Sequence, residues 1–97
     1  MSKTAVISIG NSDDKLAQVK WSKFISDVNW IISRYQLTVH FSGFSSPTAP
    51  WQNACWVVEM PENLVHQFKF ELARIATKYL QDSIAFVLGD TEFINGG

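Results

Sequence analysis

Apolar residues recur along this chain with two periods, and each change of period marks an element. Residues 4–10, TAVISIG, alternate: Ala5, Ile7 and Ile9 share one face, and Thr4, Val6 and Ser8 the other. Short, β-branched and closed by Gly10 and Asn11, the segment predicts a strand. The period then changes. Trp21, Phe24, Ile25, Val28, Ile31, Ile32 and Tyr35 fall at steps of three and four, the spacing of one wide helical stripe, with Trp30 off it. Two starts are open for this helix. Ser12 or Asp13 is a suitable N-cap, and an acid there favours the positive end of the helix dipole. A start near Ala17 or Gln18 instead leaves GNSDDKL as a longer ordered loop.

Residues 37–44, LTVHFSGF, alternate again, with Leu37, Val39 and Phe41 pointing one way and Thr38, His40 and Ser42 the other. SSPTAP follows as a loop, since Pro47 and Pro50 exclude regular structure. Residues 54–60, ACWVVEM, predict the next strand, with Ala54, Trp56, Val58 and Met60 on one side and Cys55, Val57 and Glu59 on the other. Pro61 is expected in the first turn of a second helix. That helix carries a stripe of Val65, Phe68, Leu72, Ile75, Ala76 and Tyr79. Residues 83–88, SIAFVL, predict the last strand.

The order is strand, helix, strand, strand, helix, strand, with no internal repeat. Two right-handed crossovers around a hairpin give an α/β chain of the α+β two-layer kind, a ferredoxin-like βαββαβ sandwich with both helices on one face of an antiparallel four-stranded sheet. A dimeric barrel gives the same string. This topology brings the end of the first strand and the central hairpin to one end of the domain. The uncovered face is expected to carry Val6, Ser8, Thr38, His40, Ser42, Cys55, Val57, Glu59, Ala85 and Val87. A face turned only to water would hold more charge. A homodimer packed sheet to sheet is therefore expected, in preference to an RNA-binding platform, which needs stacking aromatics at its centre.

Ninety-seven residues, 46% of them hydrophobic, suit one domain over residues 1–97. The net charge of −1 gives no broad basic face, so sequence-independent nucleic-acid binding is not expected. Lys15, Lys20 and Lys23 read as a solvated helix face. A single cysteine, Cys55, forms no internal disulfide and no multi-cysteine zinc site. Neither a leader-like apolar core nor a membrane-length apolar run is present, so a reduced, cytoplasmic setting and no membrane partner are expected.

The chemistry in reach is sparse. Cys55 and His40 are expected on one face of neighbouring strands, where a small thiol beside a histidine is more often packing than catalysis. Asp13 and Asp14 suit Mg²⁺, but acids at a helix start more often serve its dipole. The stretch from Gly10 to Lys15 is sized to cradle a phosphate on backbone N–H groups, yet it lacks the second glycine and the GK[ST] ending of a Walker loop. His66 reads as a surface histidine. No cofactor is implied. The candidate binding residues are those of the two polar loops at one end: Asn11, Ser12, Asp13, Asp14 and Lys15 from the first, and Trp51, Gln52 and Asn53 from the second. Trp51 follows a proline, where it either caps the core edge or anchors a partner.

The segments IGNSDDKL and APWQNACW resemble those of a family of small proteins from actinobacteria and their phages. No established activity comes with that resemblance, so no catalytic residue carries over. It implies a small intracellular protein, phage-encoded in some cases. Both segments fall at the same end of the expected fold. The expectation is a non-enzymatic binding module that holds a small polar, nucleotide-like ligand or a host protein at that end. Its rivals are a small metal-dependent hydrolase or nuclease using Asp13, Asp14 and His40, and a structural or assembly protein.

Overall fold

The computed structural model describes residues 2–11, 16–46 and 52–96. Its order is β1 (Ser2–Gly10), α1 (Gln18–Arg34), β2 (Thr38–Phe44), β3 (Asn53–Pro61), a 3₁₀ turn (Glu62–Leu64), α2 (Val65–Lys78) and β4 (Ala85–Gly89). The strands form one sheet in the order β2-β3-β1-β4, with every neighbouring pair antiparallel. This is the ferredoxin-like α+β sandwich that the alternation of periods predicts.

In the central strands the period-2 pattern is kept without interruption. Ala5, Ile7 and Ile9 of β1 and Ala54, Trp56, Val58 and Met60 of β3 are all buried. They face Trp21, Phe24, Val28, Ile31 and Ile32 of α1 and Phe68, Leu72, Ile75 and Ala76 of α2. The largest fully buried side chain, Trp56, also carries a polar atom, and its indole N–H donates to Asn29 Oδ1 on α1 at 2.7 Å. That bond ties the sheet to the helix layer while satisfying a donor that burial would otherwise strand.

α1 takes the later of its two possible starts. Ala17 is its N-cap in an extended conformation, with no side-chain cap bond and no acid in the first turn. Pro61 corrects the expectation for α2: it closes β3 and caps the 3₁₀ turn that leads into the helix, instead of occupying the first turn of α2 itself. Both helices end alike. Gln36 and Leu80 adopt left-handed φ of 56°, and the next residues turn their N–H groups back, Leu37 to Ile32 O at 3.2 Å and Gln81 to Ala76 O at 2.8 Å. These are Schellman ends built without glycine.

The larger correction is in β2. Thr38 pairs with Glu59 and Val39 with Val58, but a bulge intervenes before Phe41, which pairs with Val57. The extra residue, His40, shifts the pleat by one. Beyond it, Phe41 and Gly43 lie on the uncovered face opposite Val57 and Cys55. Ser42 and Phe44 lie on the helix side, opposite Trp56 and Ala54. Sequence alternation assigns Phe41 and Ser42 the other way round, because a one-residue slip turns every later side chain to the opposite face.

Candidate functional site

The two polar loops meet at one end of the sheet as the topology requires. Gly10 pairs with Asn53, and the Asn11 N–H donates to Gln52 O at 2.7 Å. Asn53 lies against β1 so closely that a Cβ at Gly10 would fall 2.9 Å from its Oδ1. Across the hairpin, Asn53 N–H donates to Ser45 Oγ and Ser45 N–H to Asn53 O, each at 2.9 Å. Asn11 is buried, and its side chain binds the chain itself. Its amide donates to Leu16 O at 2.8 Å, and its Oδ1 accepts the Leu16 N–H at 3.0 Å. Its role is to close the β1–α1 loop on both sides. Asn11, Gln52 and Asn53 are thus brought together, whereas Ser12, Asp13, Asp14, Lys15 and Trp51 lie outside the described residues.

Beside this junction, between the first turns of α1 and the end of β2, runs an open groove of about 590 Å³. Gln18, Ser22 and Ser26 form one wall, at i, i+4 and i+8 on α1, with Trp21 and Ile25 below them. Phe44, Ser45, Ser46 and Gln52 form the other. The walls are joined where Gln18 Nε2 donates to Gln52 Oε1 at 3.0 Å. Trp21 is buried in the floor, while Phe44, also in the lining, is 63% exposed. No charged side chain is among the described lining residues. The volume falls within the range of small-molecule sites, and an apolar floor under convergent polar groups is their usual composition. Of the lining residues, sequence reasoning places Ser45, Ser46 and Gln52 at this end of the fold and names Gln52 as a binding residue. Phe44 is missed because the bulge that brings it to this side is invisible in the alternation. The stripe of Gln18, Ser22 and Ser26 was legible once α1 is known to start at Gln18.

Other clusters are less suited to a site. On the uncovered face Ser8 Oγ donates to Cys55 Sγ at 3.7 Å. His40 Nε2 lies 3.1 Å from Glu59 Oε1, and Ser2 Oγ donates to Glu59 Oε2 at 3.0 Å. The His40 and Ser2 hydrogen bonds hold the Glu59 carboxyl below its ordinary range. The bulge leaves His40 beside Glu59, two residue rows from Cys55, so no thiol–imidazole pair forms. Among the described residues no three His, Cys, Asp or Glu side chains converge to hold a metal ion. His66 is exposed on α2.

A second groove, of about 380 Å³, separates α1 from α2. Two of its three lining cations are paired with carboxylates: Lys78 Nζ donates to Asp27 at 2.9 Å and Arg74 lies 3.7 Å from Glu71, while Arg34 rests on the exposed Trp30 ring, 5.4 Å from its centroid. Tyr79 O–H also donates to Asp27, at 2.7 Å. Burial pushes the Asp27 carboxyl up, but the Lys78 and Tyr79 hydrogen bonds together outweigh it and hold the group below its ordinary value. This constellation fastens one helix to the other.

No helix among the described residues is long and apolar enough to cross a membrane. No protein-family model and no curated protein matches the chain. Solved structures do match in shape. The C-terminal domain of the MgtC protein from Mycobacterium tuberculosis is similar over 91% of this chain and 88% of its own, with a TM-score of 0.63 and 8% identity. An unknown protein from Galdieria sulphuraria is similar over 94% of this chain and 49% of its own, with a TM-score of 0.60 and 9% identity. A formyltetrahydrofolate deformylase from Pseudomonas putida KT2440 is similar over 94% of this chain and 29% of its own, with a TM-score of 0.56 and 9% identity. The chain therefore spans about half of the Galdieria protein and under a third of the deformylase. At these identities the likeness is one of fold, and the fold is that of the ferredoxin-like α+β sandwich.

Proposed function

We propose that the domain is a non-catalytic binding module whose groove between α1 and β2 captures a small polar ligand with a flat apolar face. The observation that carries this reading is the groove's composition: the exposed Phe44 ring and the Trp21–Ile25 floor beneath amide and hydroxyl groups, with no charged side chain in the described lining. A nucleobase or nucleoside has the matching chemistry, a stacking face edged with hydrogen-bond donors and acceptors. The deformylase supports the module reading in a general way, because a fold of this shape there makes up a minor part of a larger chain. The resemblance of IGNSDDKL and APWQNACW to proteins of actinobacteria and their phages supports capture of a host signal as the use of such a site. Self-association involves a different surface, the uncovered sheet face, and does not depend on ligand capture.

Calorimetric titration with a panel of nucleosides and nucleotides tests the reading. At least one is expected to bind the wild-type chain and to lose at least tenfold in affinity with Phe44→Ala, and with Ser22→Trp, which fills the groove. No binding across the panel, or binding that both variants leave intact, refutes it and turns attention to a protein partner.

A further inference from the structure

The uncovered sheet face is ordered in rows. One row crosses all four strands as Val87, Val6, Val57 and Phe41, paired in register. The next row is made of small residues, Ala85, Ser8, Cys55 and Gly43. The outer rows are polar: Glu59 lies beyond the large row, and Asn53 beyond the small one. At the strand edges Phe41 is 59% and Val87 61% exposed. The Phe41 ring leans over the small row, since a Cβ at Gly43 would fall 3.0 Å from its Cζ. Among the strand residues of this face Glu59 is the sole carboxylate, and His40 and Ser2 already bind it.

We propose that this face is a self-association surface, occupied by a second copy of the chain related by a two-fold axis that runs parallel to the rows, between the large row and the small one. The argument is self-complementarity. Such an axis reverses the row order, so the three valines of each copy's large row settle on the small residues of its partner. It preserves the column, so Val57 meets Cys55, Val6 meets Ser8 and Val87 meets Ala85 of the other copy, while the two leaning Phe41 rings meet each other. The same operation sets each Glu59 carboxylate toward the Asn53 amide of the other copy, which is a donor to an acceptor and not charge against like charge. An isologous contact requires this kind of match of a surface with itself. Sheets stacked face to face lie about 10 Å apart and interdigitate in this manner.

Four strands and four rows span roughly 20 by 25 Å at ordinary sheet spacings. A contact of that extent is at the small end of specific interfaces, so the dimer is expected to form at high protein concentration.

Sedimentation equilibrium from about 10 µM to 0.5 mM tests it, read against ordinary interface sizes. The wild-type chain is expected to approach twice its 11.0 kDa mass at the upper end. The pair Phe41→Lys and Val87→Lys is expected to stay monomeric with an unchanged far-ultraviolet circular dichroism spectrum. Phe70→Lys, equally exposed but on α2, is expected to dimerise like wild type. A wild-type chain monomeric at 0.5 mM overturns the proposal. So does a dimer that survives the double substitution or is lost with Phe70→Lys. Neither result touches the groove, whose binding is read separately by calorimetry.

Discussion

Three polar or strained residues illustrate how single side chains hold this domain together. Asn11 binds both the N–H and the C=O of Leu16 from a buried position, so truncation leaves two backbone groups unpaired at the loop that precedes α1. Asn11→Ala is expected to lower unfolding free energy by about 1–3 kcal/mol in a urea titration, the usual cost of orphaned buried polar groups. Leu80 sits at the left-handed position after α2 with its side chain exposed. Left-handed backbone costs an L-residue roughly 1 kcal/mol, which glycine avoids. Leu80→Gly should therefore raise the urea midpoint without changing the slope. Asp27 gives the pH-dependent term. Its carboxyl is held below its ordinary value in the folded state, so its contribution is fully present above the unfolded carboxylate range near pH 4 and fades as pH falls through the lower folded value. Asp27→Asn should destabilise the chain at neutral pH, with the gap to wild type closing under acid. A gap independent of pH would mean that the Lys78–Asp27–Tyr79 contact acts through packing alone.

At the scale of elements, the central and edge strands differ in kind. β1 and β3 alternate without a break and were legible from the sequence residue by residue, because the apolar residues on one face of each are buried and enforce the register. β2 is an edge strand, and LTVHFSGF alternates in either register, so nothing in it announces the bulge at His40. The partner strand decides where the pleat slips, and that information is not local. The same slip turned Phe44 toward α1 and Phe41 outward, which is why the groove and the Phe41 end of the apolar row were not legible in the sequence, whereas Val6, Val57 and Val87 were. The start of α1 was open for a similar reason: the closure by Asn11 and the extended Ala17, not a side-chain cap, determine it. Hydrogen exchange should follow this division. Amides of β1 and β3 are expected to be the slowest in the sheet, and those of β2 near the bulge and of β4 faster, since edge strands open locally below the global free energy. Uniform protection across the sheet would contradict the assignment of β2 as a loosely registered edge.

The whole molecule distributes its surfaces by layer. The helices close one sheet face over the core, the other face stays open, and the groove lies where α1 passes the end of β2. The element order and the meeting of the two loops followed from two crossovers and a hairpin, and so were legible. Of the residues assigned there from sequence, Gln52 lines the groove, Asn53 braces the hairpin and Asn11 closes the loop. Chemical-shift mapping by nuclear magnetic resonance tests ligand capture in this groove residue by residue. Titration with a nucleoside or nucleotide is predicted to move the amide signals of Gln18, Ser22, Phe44, Ser45 and Gln52 together, leaving Val6, Val57 and Val87 on the open sheet face still. Perturbations confined to the sheet face or to the groove between the helices, or none at millimolar ligand, would contradict it.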